Sequence, residues 1–389
     1  MNKPIFSSDF KLAIIGGGQL GKMLLYETRK WDIYTKVIDP NENAPCKIAC
    51  NEFVKGDLLN YDDVYNFCLD ADLITIEIEA VNVEALSDLK KLGKKVHPQP
   101  ECLKIIQNKI SQKEFYQKMQ LPTADHKSFA SKGELSEELK MQSIGFPFVW
   151  KSATGGYDGR GVEIVKNDQQ IENLPDQACL IEDKIDLSHE LSVIVARNES
   201  GETVSYPVVE MEFHPTANQV EYVISPARID QNIQIKAKTL AEQVAHKMQV
   251  VGLLAVELFL TKDEGLLINE VAPRPHNSGH VTLEANYTNQ FEQYLRAILN
   301  LPLGSTEQKT AAVMVNLVGA DNYNGEPIYR NIDQLLKMKG VTPHIYGKKQ
   351  TRPFRKMGHV NIIDTDVNKA REKAKEVKSK IRVISHDKS

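Results

Sequence analysis

The 389-residue chain predicts an α/β and α+β protein that opens with a doubly wound parallel sheet. Three observations predict it. Strand-like and helix-like segments alternate over residues 10–100. Two apolar runs, 253–260 and 266–270, flank a polar turn and read as an antiparallel hairpin. From about residue 310, short strand signals mix with turns ahead of one Lys-rich helix at 367–380.

Taken in order, residues 10–15 are an apolar strand run ending in Gly16-Gly-Gly18-Gln-Leu-Gly21, and Met23-Leu-Leu-Tyr26 then opens a helix. Strand signals at 36–39, 52–55 and 72–77 follow, with helical stretches between, and Pro98 and Pro100 punctuate the unit. Residues 101–120 read as one helix carrying Leu103, Ile106, Ile110 and Met119. Strands at 144–151 and 161–166 flank a glycine-rich loop. Three more strands are expected at 178–182, 190–197 and 202–210. Residues 233–249 form an amphipathic helix, with Leu240, Val244 and Met248 four apart. It leads into the hairpin. Residues 302–308 (Pro-Leu-Gly-Ser-Thr-Glu-Gln) read as a linker, and strands at 312–317 and 358–363 follow.

The length calls for two or three domains. With 41% hydrophobic and 26% charged residues the chain has the makings of real cores. A net charge of −4 gives no basic field for nucleic acid or an acidic membrane surface. No apolar run reaches the length of a membrane span. The N-terminus lacks a signal-peptide core, so a cytoplasmic protein is expected. The five cysteines are scattered, and Cys46-x-x-x-Cys50 has no matching second pair. They read as reduced residues rather than disulfides or zinc ligands.

The hairpin carries the strongest chemical signal. With a turn centred on Asp263 and Glu264, Glu257 faces Glu270 across the ladder. Opposed like charges are destabilising there, and buried carboxylates need a positive partner. Hard oxygen ligands suit Mg²⁺. The polar run Val271-Ala-Pro-Arg274-Pro-His276-Asn-Ser-Gly-His280 leaves the second strand, where substrates tend to sit.

In Lys151-Ser-Ala-Thr-Gly155-Gly-Tyr-Asp-Gly-Arg-Gly161, four glycines in seven residues form a loop able to wrap a phosphate, with Lys151 and Arg160 as counter-charges. It can also close as a lid. Gly16-x-Gly18-x-x-Gly21, with Asp39 ending the next strand, matches the dinucleotide fingerprint in form. Yet such a turn occurs wherever a doubly wound sheet packs a helix tightly, and no His or Cys arrangement for hydride transfer accompanies it. Two further segments, Leu180-Ile-Glu182-Asp-Lys-Ile185 and Lys348-x6-Arg355, are unremarkable alone.

Together these pieces resemble the ATP-grasp superfamily. Within it they are similar to the ATP-dependent carboxyaminoimidazole ribonucleotide synthetases of purine biosynthesis, the PurK family. The strings that carry the resemblance are Gly-Gly-Gly-Gln-Leu-Gly (16–21), Gly-Gly-Tyr-Asp-Gly-Arg-Gly (155–161), Asn-Glu-x-Ala-Pro-Arg-x-His-Asn-Ser-Gly-His (269–280) and Lys348-x6-Arg355. The resemblance implies an N-terminal doubly wound pre-ATP-grasp domain (1–100), a central ATP-grasp domain (101–303, lobes about 101–178 and 179–303) and a small, mostly β C-terminal domain (304–389). It implies a carbon–nitrogen ligase that uses ATP, Mg²⁺ or Mn²⁺, and bicarbonate to carboxylate 5-aminoimidazole ribonucleotide through carboxyphosphate.

It further implies roles by position. Glu257 and Glu270 hold the metal. Lys109, Lys151 and the lid from Gly155 and Gly156 through Gly159 to Gly161 cover the phosphates. Glu182, Asp183, Lys184 and Ile185 frame the adenine and Glu190 the ribose, with His214 and Asn269 nearby. Tyr157, Asp158 and Arg160 face bicarbonate and the amine, with Asp158 as proton acceptor. Gln19, Leu20, Glu79, Arg274, His276, Asn277, Ser278, Lys348 and Arg355 bind the nucleotide and its 5′-phosphate. A homodimer, and transfer of the labile product to a carboxyaminoimidazole ribonucleotide mutase, are also implied.

Three positions depart from the pattern. Ala272 stands where many ATP-grasp enzymes have Asn, Lys109 where Arg is expected, and Phe354 where Gly is usual. Glu77-Ile-Glu79-Ala resembles the formate-dependent glycinamide ribonucleotide transformylase, the alternative ligase. A nicotinamide oxidoreductase and a non-catalytic nucleotide-binding regulator are the other readings.

Overall fold

The computed structural model describes residues 3–141, 144–156, 161–217 and 219–386, and every count below refers to these residues. A five-stranded parallel sheet comes first, in the order Glu52–Lys55, Tyr34–Asp39, Lys11–Ile15, Leu73–Ile76, Lys95–Val96. Alternation along its strands feeds two cores. Leu12, Ile14 and Val37 pack with Leu20, Met23 and Leu24 on one side. Ala13, Ile15 and Ile38 pack with Val64, Phe67, Leu86 and Leu89 on the other. Strand order reverses between Lys11–Ile15 and Leu73–Ile76, and in such sheets ligands bind in the crevice outside that point. The Gly16–Gly18 turn and Glu77 leave the sheet there.

Residues 101–120 are not one helix. Pro100–Ile106 and Lys109–Lys118 are separate, and the Asn108 side chain caps the second by accepting from Ile110 N and Ser111 N. An Asn cap outcompetes continuation of the apolar periodicity. The break places Lys109 at a helix start, with its backbone N donating to Ala153 O at 2.8 Å.

A four-stranded antiparallel sheet follows, ordered His126–Phe129, Cys179–Asp183, Phe148–Ser152, Val162–Val165. Phe129, Leu135, Phe148, Trp150 and Val165 fill its core. A nine-stranded sheet forms the other wall. Its path runs Leu266–Ala272, Gly252–Thr261, Leu187–Arg197, Val209–Phe213, Val220–Ser225, Ala311–Val318, Lys356–Asp364, Val341–Ile345, with Thr203–Ser205 alongside Leu187–Arg197. The C-terminal strands thus extend the hairpin's own sheet. The helix Gln231–Met248 buries Leu240, Val244 and Met248 against it.

Two expectations are corrected here. The strand at 202–210 is two strands, Thr203–Ser205 and Val209–Phe213. Pro207 between them has no N–H to give a ladder, and the two strands pair with separate stretches of Leu187–Arg197. The 302–308 segment is no loose linker: Gly304 N donates to Gln293 Oε1, and Gln293 Nε2 returns to Gly304 O, both at 2.8 Å. Tyr294, with Gln293 on the helix Gln290–Ile298, bonds Thr75 of the first sheet at 2.6 Å, so the parallel sheet and the large sheet share one core.

Candidate active site

The hairpin pairs Leu260 with Leu266 and Leu258 with Ile268, then shifts, so that Val256 pairs with Val271. The loop is therefore centred on Asp263, with Glu264 at φ 64°, rather than on Asp263 and Glu264 as expected. Side chains alternate between faces along a strand. An unbroken register would leave Glu270 on the opposite face from Glu257. The bulge at Asn269 and Glu270 restores the predicted confrontation. Both residues turn toward Glu257, and Asn269 Nδ2 lies 3.5 Å from Glu257 Oε2.

Two lysines and a histidine face these acids. Lys109 Nζ reaches Glu270 Oε2 at 2.5 Å, and His276 Nε2 lies 3.5 Å from Glu257 Oε1. Lys151 Nζ, on the strand below the lid, donates to Asn269 Oδ1 at 2.9 Å and pairs with Glu182 Oε2 at 2.8 Å. Glu182, 3% exposed, pairs on its other oxygen with Lys113 at 2.8 Å. Lys113 was not anticipated. It lies one helical turn after Lys109, and that spacing is the signal that could have found it.

Lys109 holds the Glu270 carboxyl well below its usual range. Burial, then Glu270 and Glu190, push that of Glu257 up. Glu190 shares the face, two residues from Ser192, which pairs with Glu257, and burial raises it to about 7. Burial pushes Glu182 up too, but Lys151 and Lys113 outweigh it and the net shift is downward.

The donor set fits a hard divalent cation: two carboxylates converging from adjacent strands, one kept ionised, in a half-open cleft. No group of three or more His, Cys, Asp or Glu among the described residues completes a cage. Water and phosphate oxygens would have to fill the remaining positions, as Mg²⁺ prefers.

At the lid, Gly155 and Gly161 take φ 77° and 72°, backbone that glycine adopts without strain. Ser152 N donates to Gly161 O at 2.9 Å, closing the loop's base near Gly156. Tyr157, Asp158, Gly159 and Arg160 lie outside the described residues. Beyond the strand Cys179–Asp183, Asp183 and Lys184 are exposed and Ile185 half-buried. The Glu182 carboxylate faces inward to its lysines.

The loop from Arg274 to Ser278 is held mostly by neutral bonds. Gln290 accepts from His276 N and donates to His276 O, both at 2.9 Å. Ser278 Oγ bonds His276 Nδ1 at 2.9 Å and Ser192 Oγ at 2.8 Å. Asn277 and Asn316 exchange amide bonds of 3.0 and 2.9 Å. One ion pair joins this loop to the first sheet, Arg274 Nε to Glu79 Oε1 at 3.0 Å. In the basic loop, Lys348 Nζ donates to Lys356 O at 2.8 Å and Arg355 donates to Gln350 O at 2.7 Å. Phe354 sits at φ 59°, which accounts for glycine being usual there, and its ring meets the edge of His214 at 5.6 Å. His214 Nδ1 also accepts from Ala217 N at 3.2 Å.

The glycine turn has no room for a dinucleotide. The Glu77 carboxylate accepts from Gly18 N at 3.1 Å and Leu20 N at 3.2 Å, occupying the anion site at the helix start beside Gln19. Asp39 accepts from Gly17 N at 2.7 Å. The protein's own acids thus fill the positions that a pyrophosphate and ribose would need. The contact of Glu77 with the glycine turn, and Ser192, Gln290 and Asn316, escaped the sequence reading, since only the tertiary fold brings them together.

Two facing sheets, a strand lysine under a glycine lid, and two acids on the opposing strands define an ATP-grasp protein. The ATP-grasp domain profile matches residues 114–291, and the ribonucleotide synthetase preATP-grasp domain matches 10–107. The phosphoribosylaminoimidazole carboxylase C-terminal domain matches 312–373. The N5-carboxyaminoimidazole ribonucleotide synthase of Bacillus subtilis is 36% identical, over 93% of this chain and 94% of its own length. The phosphoribosylaminoimidazole carboxylase of Saccharomyces cerevisiae is 38% identical over 90% of this chain, which spans only 63% of that longer protein.

Among solved structures, N5-carboxyaminoimidazole ribonucleotide synthetase from Thermotoga maritima matches with TM-score 0.87 and 41% identity, covering 97% of this chain and 100% of its own. The Aspergillus clavatus enzyme in complex with ADP and 5-aminoimidazole ribonucleotide matches with TM-score 0.85 and 30% identity, covering 95% and 98%. The chain belongs to the N5-carboxyaminoimidazole ribonucleotide synthase family.

Proposed function

We propose that this chain carboxylates the exocyclic amine of 5-aminoimidazole ribonucleotide at the expense of ATP and bicarbonate. One observation carries the reading. The bulge turns Asn269 and Glu270 onto Glu257 at the point where Lys109 and Lys151 converge, facing the loop from Arg274 to Ser278. This supports a reading in which a triphosphate site and a nucleotide site lie across one cleft.

In this reading the lysines and the lid from Gly155 to Gly161 grip the phosphates, Asp183, Lys184 and Ile185 border the adenine, and Glu190 meets its ribose, with His214 at the rim. Bound by Glu257 and Glu270, Mg²⁺ or Mn²⁺ supplies charge neutralisation at the phosphates. A bicarbonate oxygen bonds to the γ-phosphorus as the bond to ADP breaks, giving carboxyphosphate. Its carbon–oxygen bond then breaks, releasing CO₂ and phosphate. The amine nitrogen bonds to the CO₂ carbon, and its proton passes to Asp158, with Tyr157 and Arg160 orienting the reactants.

The contribution of the protein is mostly positioning and exclusion of water, because carboxyphosphate hydrolyses readily. Arg274, His276, Asn277 and Ser278, with Gln19, Leu20 and Glu79, hold the nucleotide, and Lys348 and Arg355 its 5′-phosphate. By the same resemblance we expect a cytoplasmic homodimer that passes its labile carbamate to a mutase. Among the described residues no helix is long and apolar enough to cross a membrane.

The test is phosphate release from ATP in bicarbonate buffer. 5-Aminoimidazole ribonucleotide is expected to stimulate it, with ADP and carboxylated product in equal amounts. Stimulation instead by formate with glycinamide ribonucleotide would establish the transformylase alternative.

A further inference from the structure

One buried cation outside the residues assigned above is held in an unusual way. Lys22 lies in the helix Gln19–Lys30 and is 8% exposed. Its Nζ donates to Ile345 O at 3.1 Å and Tyr346 O at 3.2 Å. Both of these partners are neutral carbonyls, whereas buried ammonium groups are normally paired with a carboxylate because their desolvation is costly. Burial accordingly pulls its pKa down. An ammonium kept there in spite of that cost calls for a purpose.

The two carbonyls immediately precede the basic loop. Tyr346, 1% exposed, is fixed by its N to Met357 O and by its OH to His359 Nδ1, both at 3.1 Å. At Gly347 the chain turns with φ +86°, so tightly over the ammonium that a Cβ would come within 3.2 Å of Lys22 Nζ. Lys348 follows directly, its Nζ 5.6 Å above the Tyr346 ring. Lys22 therefore fastens the helix that begins at Gln19 and Leu20 to the loop that carries Lys348 and Arg355.

We propose that Lys22 is a positioning residue for the nucleotide's 5′-phosphate, clamping the 345–347 turn so that Lys348 is aimed at that group. The inference rests on the functional reading above.

The test compares the full-length protein with its Lys22→Met, Lys22→Arg and Lys348→Met variants on 5-aminoimidazole ribonucleotide and on the dephosphorylated riboside. Lys22→Met is expected to raise KM for the nucleotide about tenfold, a loss of about 1.4 kcal/mol. Values of kcat, KM for ATP and kcat/KM for the riboside should stay within about twofold of wild type. Lys22→Arg should restore the nucleotide KM. The Lys22→Met/Lys348→Met double variant should lose little beyond Lys348→Met alone, since the two act through one contact.

Equal losses on nucleotide and riboside, a fall in kcat at unchanged KM, or full additivity would overturn the proposal. Should Lys22→Met not fold, Lys22→Gln keeps a donor without the charge. A Lys22→Gln protein that also fails to fold assigns Lys22 a purely structural role and overturns the proposal. If the wild type does not carboxylate the nucleotide, the functional reading fails separately. Calorimetry with ribose 5-phosphate then decides the phosphate claim: binding lost in Lys22→Met supports it, and equal binding refutes it.

Discussion

The two walls of the cleft are held by opposite means. On the hairpin and lid side, Lys113, Glu182, Lys151, Asn269 and Glu257 form a continuous run of charged and amide contacts, with the Lys109–Glu270 ion pair beside it. On the side of the Arg274–Ser278 loop, His276, Asn277 and Ser278 are fixed chiefly by the amides of Gln290 and Asn316 and by Ser192. The difference is instructive. Charged partners can be exchanged for phosphate and metal when a nucleotide arrives, at little cost in rearrangement. Neutral amide bonds at fixed geometry hold a loop in one preorganised shape, which suits the substrate recognition proposed for it.

Breaking the charged wall at the metal position should have the largest effect. Glu270→Gln is expected to lower kcat/KM by about a thousandfold, the scale of losing one preorganised electrostatic partner in a phosphoryl-transfer site. ADP release read with a coupled assay checks it, and a loss below tenfold would detach Glu270 from the metal.

Glu182→Gln attacks the same wall from within. It leaves Lys113 and Lys151 buried without their carboxylate and should cost about 3–5 kcal/mol in thermal or denaturant unfolding. The pH dependence follows from its lowered carboxyl pKa. The unfolded glutamate titrates near about 4.3, so the folded pairing contributes fully above that pH and is lost as pH falls through the lower folded value. Wild-type stability should therefore drop on acidification below about pH 4. In Glu182→Gln this part of the dependence should vanish; an unchanged acid limb would show that other carboxylates set it.

The neutral wall should respond differently. Gln290→Ala removes the bonds to His276 N and His276 O and should raise KM for the aminoimidazole nucleotide about tenfold, leaving KM for ATP within twofold. A matching rise in KM for ATP would show that the two walls are not independent. The smallest effect belongs to Phe354, whose φ of 59° strains any side chain. Phe354→Gly should stabilise the protein by up to about 1 kcal/mol, because left-handed backbone costs non-glycine residues about that much. A destabilised variant would mean that the ring contact with His214 outweighs the strain.

Only part of this division was legible in the residues. The glycine turn and the two opposed acids were visible because they lie in short contiguous strings. The parallel sheet was visible through strand–helix alternation. What was hidden depends on single competing interactions. Asn108 stops a helix whose apolar spacing would have carried on through Ile110. A one-residue bulge, not the turn, sets the face of Glu270. Pro207 splits one apparent strand into two. Glu77 closing the glycine turn, and Gln290 holding the His276 loop, join residues far apart in sequence. No periodicity signals such contacts.

The central claim is that Glu257 and Glu270 accept a metal that carries the nucleotide. Calorimetric titration of ADP with and without Mg²⁺, on the wild type and on Glu270→Gln, tests it most directly. Mg²⁺ should tighten ADP binding to the wild type and leave the variant unchanged. An equal Mg²⁺ effect on both proteins would contradict the account.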